Sequence, residues 1–232
     1  KYDKSYKLKF NDLIKSIDKK TAIVFLPNPN VPIAGTINLD QIKYLAKVCK
    51  KNKTILALDE VYFPFGNITG INLIKNFSNL IIMRSFSKAF GLAGIRFGYI
   101  VGNKENVDYI SKSRSGYETN SISIEIASFF IDNKKITQNH IKEVKKGLDY
   151  LKKELIKEKI EFNLGKDNCF IFINLRDAVL AKKVVKKLKE KNIYVRGGWS
   201  KPFDQGFSVT GASPKIMKNF FYKLNKILKL TK

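Results

Sequence analysis

One lysine of the chain has neighbours that could make it a nucleophile. Lys88 follows an apolar stretch and precedes the glycine-rich segment 91–94. Ser85 and Ser87 stand directly before it, and Arg96 follows a little later. A lysine that is desolvated next to another cation becomes a usable nucleophile for a carbonyl group, and Arg96 would be that cation. A solvated lysine at the start of a helix is the plainer interpretation, but this context favours the nucleophile.

The same segment carries groups that bind phosphate. Ser85 and Ser87 offer short hydroxyl donors, and Arg96 offers a planar fork of N–H donors. A helix predicted to begin after Lys88 would add backbone N–H groups for an anion. The spacing therefore predicts a reactive lysine and an anion site in one crevice.

A second set of polar side chains follows another apolar run. Asp59 ends this run, and Tyr62 comes three residues later. As a plain structural residue, Asp59 would be a helix cap or a surface acid. Beside a pyridine ring, a carboxylate keeps the ring nitrogen protonated, so that the ring accepts electrons from a carbanion. Tyr62 is close enough along the chain to hydrogen-bond an oxygen of the same ring.

The first half of the chain alternates short apolar runs with helical spacing. The pattern predicts one helix at 39–51 and four strands, at 22–26, 54–58, 79–84 and 97–101. Continuous apolar strands of this kind are typical of an α/β fold with a mostly parallel sheet covered on both faces. Because the carboxyl ends of such strands line the ligand crevice, Asp59 and Lys88 are expected to face it together.

The second half has the pattern of a smaller α+β domain. It contains a long amphipathic Lys- and Glu-rich helix, further helices and short strands. The predicted helices cover 136–160, 178–191 and 214–230, and the predicted strands cover 169–175, 193–196 and 207–211. We therefore expect two domains, a partial large domain at 1–132 and a C-terminal small domain at 133–232.

The net charge of +24 does not by itself point to nucleic acid. The lysines are spread over predicted helices, and neither zinc-finger spacing nor an aromatic RNA-binding pattern is present. Nucleic-acid binding ranks last among the interpretations, and the charge is expected to attract anionic ligands. No apolar run reaches the roughly 18 to 20 residues that span a bilayer, so no membrane partner is expected.

Cysteine and histidine usage argues against redox and metal chemistry. Cys49 and Cys169 form no CxxC pair and are interpreted as small buried hydrophobes. The single histidine, His140, lies in a Lys-rich segment, which argues against a His-based triad or a His-rich metal site. A reducing, cytoplasmic setting is the expectation.

Several strings of the sequence resemble one enzyme family. DEVYFPF resembles the DEAYxxF of class-II aminotransferases, and SFSKAFGLAGIRFGY resembles their SxSKxxGLAGxRxGY. PNPNVPIAGT is similar to their NPNNPTGT loop. The subgroup that the chain resembles most is the histidinol-phosphate aminotransferase-like group. Weaker matches follow in family order over nearly the whole chain, at SRSGYETNS, NCFIFINL, IYVRGG and FSVTGASP.

The resemblance implies a pyridoxal 5′-phosphate (PLP) dependent enzyme of fold type I. It implies that Lys88 carries the cofactor as a Schiff base and then shuttles a proton between the substrate Cα and the cofactor. It also implies that Asp59 pairs with the pyridine nitrogen and Tyr62 with the ring oxygen. The phosphate would be held by the three residues named above, Ser85, Ser87 and Arg96. The reaction would be ping-pong transamination between an amino donor and a keto or aldehyde acceptor, in a homodimer.

The chain departs from the family pattern near its N-terminus. Family members carry a long region before the NPNNPTG loop, and this region and a starting Met are not present here. We therefore expect the chain to be part of a longer protein. In the loop itself, Val31 occupies the position of the ring-contacting Asn. The loop has one extra residue before Gly35, so either Asn30 takes over this contact or the contact is lost.

A further departure affects substrate binding. The family usually has an arginine in its last strand that grips a substrate carboxylate or phosphate, and Ser208 or a neighbour stands there. Arg196 matches a second anion-binding arginine of the histidinol-phosphate group, although a surface arginine is an equally good interpretation. Loss of a bidentate anion grip is not conservative, so the resemblance implies an altered amine substrate.

Two other functions stay open beside the aminotransferase. A PLP-dependent amino-acid or amino-acid-phosphate decarboxylase would use the same electron sink, because the bond held perpendicular to the ring decides the outcome. A non-catalytic sensor domain would keep the fold without the chemistry. The joint presence of Lys88, Asp59, Tyr62 and Arg96 argues against simple degeneration.

Overall fold

The computed structural model describes residues 2–3, 6–116 and 118–230. These form two compact units, one from Lys1–Val31 with Gly35–Thr137 and one from Pro32–Ala34 with Gln138–Lys232. The division into domains at 1–132 and 133–232 stays a prediction. In the part of the chain that is described, no helix is long and apolar enough to cross a membrane.

The first unit is built around a four-stranded sheet. Its strands are β1 (Ile23–Pro27), β2 (Ile55–Asp59), β3 (Leu80–Ser85) and β4 (Gly98–Gly102). Its helices are α1 (Phe10–Lys15), α2 (Leu39–Lys51), α3 (Lys104–Ser111) and α4 (Ser121–Asp132), and α5 (Lys134–Lys157) begins here and continues into the second unit. The four predicted strands and the predicted helix at 39–51 are present.

The sheet is mixed, and its one antiparallel strand decides which residues meet at its edge. The order is β1-β2-β3-β4, with β1, β2 and β3 parallel and β4 antiparallel to β3. The carboxyl ends of β1–β3 and the amino end of β4 therefore lie at the same edge. The prediction of an α/β fold with a mostly parallel sheet is confirmed.

One face of this sheet packs against α2. The side chains at alternate positions of β2 and β3 are fully buried, among them Leu56, Leu58 and Ile82. Helix α2 begins at a capping box in which Asn38 and Gln41 each accept the other's backbone N–H. Continuous burial on this face is what the apolar runs of the sequence predict, and it makes the strand ends a rigid support for the residues that follow them.

Cys49 of α2 lies in this core, which gives a test of the packing. Its side chain is fully buried, and burial raises the pKa of its thiol to about 11. Because the thiolate is the reactive form, we expect iodoacetamide to label Cys49 at pH 8 more than about 100 times slower in the folded protein than after denaturation. Mass spectrometry of a Cys169→Ala protein would measure this rate, and equal rates in both states would contradict the buried position of α2.

The second unit has the α+β composition expected from the sequence. Its antiparallel sheet has the order β5-β6-β7, from β5 (Glu161–Asn163), β6 (Phe170–Asn174) and β7 (Gly206–Thr210). Helix α6 (Ala178–Lys189) and helix α7 (Pro214–Lys229) accompany it. Phe172, Phe207 and Leu224 are among its fully buried side chains.

Two predicted boundaries in this unit were wrong. The predicted strand at 193–196 is only a single bridge, from Arg196 to Ser208. It goes no further because glycines follow, of which Gly198 has a positive φ of 72°. Helix α5 ends at residue 157, before the predicted 160. The chain turns there because Lys159 has a left-handed φ of 55°, and the N–H of Ile160 donates back to the oxygen of Leu155 at 2.9 Å.

Candidate active site

The candidate site lies at the carboxyl edge of the parallel strands. Pro27 at the end of β1 pairs with Asp59 at the end of β2, and Asp59 pairs with Met83 of β3. The ladder continues beyond the strands, since the N–H of Asn28 donates to the oxygen of Asp59 at 2.9 Å. The N–H of Glu60 likewise donates to the oxygen of Met83 at 2.9 Å. Asp59 is therefore held in a hydrogen-bonded edge rather than in a free loop.

Arg96 reaches this edge because β4 is antiparallel. Gly98 at the start of β4 pairs with Ser85 at the end of β3, and the N–H of Phe86 donates to the oxygen of Phe97 at 3.1 Å. Arg96, two residues before Gly98, therefore lies beyond this edge, next to the segment that carries Ser87 and Lys88. Its backbone is left-handed, with φ 52°, and its exposed guanidinium donates to the oxygen of Ala93 at 2.9 Å.

Lys88 lies in a short irregular segment after β3. It is flanked by fully buried Ala89 and by Phe86, which is 2% exposed, whereas the Lys88 side chain itself is exposed. Its Nζ lies 5.8 Å from the centroid of the Tyr62 ring. Two buried neighbours thus fix the backbone while the amine stays free to face a ligand.

No helix begins after Lys88, so that prediction was wrong. The N–H of Gly91 donates to the oxygen of Lys88 at 3.1 Å, which closes a tight turn, and Gly91 has a positive φ of 71°. Only a short 3-10 helix follows, at Ala93–Ile95. The turn is favoured over a helix because Phe86 is drawn into an aromatic cluster, with ring centroids of Phe90 at 4.5 Å and Phe97 at 5.4 Å. The helix N-terminus expected to contribute to an anion site is therefore missing.

Asp59 is half-buried and electrostatically coupled to Lys88. Burial raises the pKa of the Asp59 carboxyl above its ordinary value. A hydrogen bond from the N–H of Val61 to Oδ1 at 3.0 Å and the positive charge of Lys88 lower this pKa, and the negative charge of Glu60 raises it. A carboxylate in such a setting gains from a cationic ligand, because the ligand offsets the cost of burying the charge.

Tyr62 and the two serines lie around the same edge. Tyr62 is 8% exposed, and its backbone oxygen accepts the N–H of Phe65 at 2.8 Å. The hydroxyl of Ser85 accepts the N–H of Ser87 at 3.0 Å and donates to the oxygen of Phe97 at 3.4 Å. Ser85 and Ser87 are thus joined in one turn next to Lys88, and to bind an anion the Ser85 hydroxyl or the Ser87 N–H would have to exchange its present partner.

Asn30 and Val31 lie in the loop after β1. Asn30 is buried, its Oδ1 accepts the N–H of Gly35 at 2.8 Å, and its Nδ2 donates to the hydroxyl of Tyr2 at 2.6 Å. Val31 is exposed. The Asn30 amide is engaged within its own loop, so a contact with a cofactor would require it to exchange one of these partners. Its cofactor role stays a prediction.

Arg196 belongs to the second unit. Its backbone exchanges hydrogen bonds with Ser208, at 3.0 Å and 2.8 Å, and its guanidinium lies 4.8 Å from the centroid of the Trp199 ring. The hydroxyl of Ser208 is buried and has no hydrogen-bond partner among the described residues. Arg196 therefore presents an exposed cation stacked on an aromatic face, next to a buried unsatisfied hydroxyl.

Sequence reasoning missed three residues that support the site. Asn28 clamps the loop after β1, since its Oδ1 accepts the N–H of Ile37 at 2.9 Å and its Nδ2 donates to the oxygen of Ile37 at 3.2 Å. Glu60 and Arg84 form a buried ion pair, with 2.9 Å between Oε2 and Nη2. Their position in the sequence could have identified them, because each lies directly next to a strand end or to a predicted site residue.

Comparisons with known proteins give one consistent answer. The family model "Aminotransferase class I and II" matches residues 1–209. A histidinol-phosphate aminotransferase of Thermoanaerobacter pseudethanolicus is 35% identical over 193 residues, which cover 82% of this chain and 53% of the relative. The chain thus spans about half the length of the curated relatives it matches.

Solved structures share the fold at low identity. The structure of a histidinol-phosphate aminotransferase from Sinorhizobium meliloti in complex with pyridoxal-5′-phosphate has a TM-score of 0.91 at 18% identity, over 100% of this chain and 64% of that one. An L-threonine-O-3-phosphate decarboxylase from Porphyromonas gingivalis has a TM-score of 0.79 at 23% identity, over 96% of this chain and 69% of that one. At such identities the likeness shows the PLP-dependent transferase fold alone. The match of the family model over most of the chain goes further and shows that this chain belongs to the class I and II aminotransferase family.

Proposed function

We propose that the protein is a PLP-dependent aminotransferase, which moves an amino group from a donor to a keto or aldehyde acceptor in two half-reactions. The observation that carries this proposal is the meeting of Lys88, Asp59 and Tyr62 at one sheet edge. Lys88 Nζ lies 5.8 Å from the Tyr62 ring, and its charge acts on the Asp59 carboxyl. An amine, a carboxylate and a phenol in this arrangement match the groups that a pyridoxal ring requires.

The side chains present fit the cofactor. Lys88 would hold its aldehyde carbon covalently, Asp59 its ring nitrogen and Tyr62 its ring oxygen. When bound, the cofactor supplies an electron sink for the bonds at the substrate Cα. The phosphate would be held by Ser85, Ser87 and Arg96, and Asn30 is a further candidate for the ring oxygen.

Each of these residues has a separate task in the reaction. The amine of Lys88 would take the proton from the substrate Cα and deliver it to the carbon of the cofactor aldehyde, as a base that lies in the same crevice can. Asp59 stays ionised and keeps the ring nitrogen protonated. Arg96 neutralises phosphate charge with a planar guanidinium that suits bidentate contact. All of them are supported by strand ends, which keeps their geometry fixed during turnover.

The amine substrate is expected to carry an anionic group. Arg196 presents an exposed guanidinium stacked on Trp199, and such a fork binds a carboxylate or a phosphate. The relatives that the chain matches are named histidinol-phosphate aminotransferases, which favours a phosphorylated or carboxylated amine. The acting form is proposed to be a homodimer, as the family resemblance implies, and its setting the cytoplasm, where cysteines without a disulfide such as Cys49 and Cys169 are usual.

A decarboxylase is the second candidate. The observation that favours it is strand β7, where Ser208 or a neighbour stands at the position of the family's carboxylate-gripping arginine, and where the buried Ser208 hydroxyl has no partner among the described residues. An enzyme that expels carboxylate has less need of a strong grip on it. Product analysis separates the two activities, since a decarboxylase releases carbon dioxide without a keto acceptor.

The decisive experiment is the visible absorption spectrum of the protein at its full natural length, with PLP and then with amino donors. We expect a yellow band that borohydride reduction locks onto Lys88, and that a donor such as glutamate bleaches. A band that no donor bleaches would contradict transamination and favour a decarboxylase or a sensor. Failure to form any band would contradict cofactor binding itself.

A further inference from the structure

A buried polar network lies beneath the candidate site and has no part in the proposed reaction. The Glu60 carboxylate is 1% exposed and accepts Nε and Nη2 of Arg84 at 3.1 Å and 2.9 Å. It also accepts the hydroxyl of Thr69 and the N–H of Gly70, both at 2.7 Å. Arg84 further donates to the Thr69 hydroxyl at 2.8 Å, and its guanidinium carbon lies 3.7 Å from the Phe63 ring centroid. None of the side-chain polar atoms of Glu60, Thr69 and Arg84 is buried without a partner.

The network touches the site through the backbone. Each main member is the chain neighbour of a predicted site residue, in the pairs Asp59–Glu60, Tyr62–Phe63 and Arg84–Ser85. Successive side chains of a strand point to opposite faces, so the network lies on one face of the sheet edge and the site residues lie on the other. Any shift of Glu60 or Arg84 would therefore move Asp59 or Ser85.

Stability alone does not explain why this network contains a buried ion pair. A buried ion pair contributes little net stability, and apolar residues of the same volume often serve as well. Removing one partner is different, because it leaves an uncompensated charge. If Arg84 were removed, the uncompensated charge would be that of Glu60, directly beside Asp59. The Glu60 charge already raises the pKa of the Asp59 carboxyl. An apolar pair would lose the hydrogen bonds by which the Glu60 carboxylate holds the N–H of Gly70, the hydroxyl of Thr69 and the Arg84 guanidinium.

We propose that Glu60 and Arg84 are positioning residues, whose ion pair holds the backbone of Asp59 and Ser85 and offsets the Glu60 charge next to Asp59. This inference rests on the proposed function, since it assigns both residues to the support of the same cofactor site. Neither residue is proposed to contact the cofactor. The pair acts from the opposite face of the sheet, through its chain neighbours.

The first test is hydrogen exchange in the cofactor-free protein, comparing wild type with Arg84→Met. The reporters are the N–H of Asn28, bonded to the oxygen of Asp59, and the N–H of Glu60, bonded to the oxygen of Met83. The references are the N–H of Ile55 and Leu56, bonded at the opposite edge to Ala22 and Asn79. We expect the reporters to lose at least about tenfold more protection than the references, because local opening of the edge adds to any loss of global stability.

The second test is the spectroscopic signature of bound PLP. We expect Arg84→Met to weaken PLP affinity by about tenfold and to reduce the circular dichroism of the visible band, because both depend on the placement of Asp59. Arg176→Met is the matched control, since it breaks an exposed ion pair with Glu161 and should change neither reading. If Arg84→Met does not fold, Glu60→Gln tests the same contacts with a smaller perturbation.

The outcomes separate this inference from the proposed function. Equal loss of protection at all four amides, with an unchanged dichroic band, would mean that the pair serves only stability, and would overturn the proposal. If wild type formed no visible band with PLP, the proposed function would be wrong. The exchange of Asn28 and Glu60 would then still decide whether the pair holds the sheet edge.

Discussion

Lys88→Ala is expected to abolish turnover while the protein still binds PLP without a covalent bond. The substitution removes both the amine that holds the cofactor aldehyde and the base that serves the substrate Cα, so we expect kcat to fall by about 10⁴-fold or more. Affinity for PLP should fall much less, because the phosphate and ring contacts remain. Steady-state kinetics and equilibrium dialysis measure the two effects separately.

A matched control for this variant is Lys112→Ala. Lys112 is an exposed lysine whose Nζ lies 5.3 Å from the Tyr109 ring, much as Lys88 lies over Tyr62. Its removal should leave kcat within about twofold of wild type, as is usual for a surface substitution. Borohydride reduction followed by peptide mapping should mark the peptide that contains Lys88. Turnover of Lys88→Ala at the wild-type rate would show that the catalytic assignment is wrong.

Much of the supporting fold follows from local sequence patterns. Helix α2 has the bounds that its apolar spacing predicts, and in the structure the Asn38–Gln41 capping box fixes its start. The four strands of the first unit lie within about one residue of their predicted bounds, since each is a short apolar run. The same patterns place Asp59 and Lys88 after neighbouring strands, which is why the candidate edge could be predicted.

What could not be predicted depends on contacts across the sheet. The direction of β4 is set by its pairing with β3, and a short apolar run is the same in either direction. The turn after Lys88 depends on the burial of Phe86 against aromatic neighbours that are distant in sequence. Helix α4 was missed because isoleucine and phenylalanine occur on several of its faces, which leaves little periodicity. Tyr117, within the SRSGYETNS string, lies outside the described residues.

The ion pair of Glu60 and Arg84 shows a related limit. The two residues are far apart in sequence, and in a chain with a net charge of +24 a single arginine has no distinctive partner. Parallel pairing of β2 with β3 brings them together, and the position of Thr69 and Gly70 completes the network. Since Glu60 stands beside Asp59, its charge also acts on the Asp59 carboxyl and raises the pKa of that group.

Asp59→Asn is expected to lose about 10³-fold in kcat/KM, which corresponds to ~4 kcal/mol of transition-state stabilisation. An amide oxygen of the same shape can still accept the N–H of Val61, so the local backbone should be kept. An uncharged amide does not keep the ring nitrogen protonated, so the electron sink is lost. The exposed acid Asp108, paired with Lys104 in α3, provides the control Asp108→Asn, which should leave kcat/KM unchanged.

The same variant should make the cofactor-free protein more stable at neutral pH. The pKa of Asp59 is raised in the folded state above its ordinary value of 3.8, mainly because the carboxyl is buried. Between these two values the folded protein binds a proton that the unfolded chain has released, so the free energy of unfolding falls as pH rises through this window. Above the window, wild type bears the cost of a buried charge that the Asp59→Asn protein lacks. Urea unfolding of both proteins should show the variant to be more stable at pH 7, with a gap that closes as the pH falls towards 3.8. A variant that was less stable than wild type at pH 7 would mean that the charged carboxylate stabilises the fold. Asp59 would then be a structural residue rather than a ligand of the cofactor ring nitrogen.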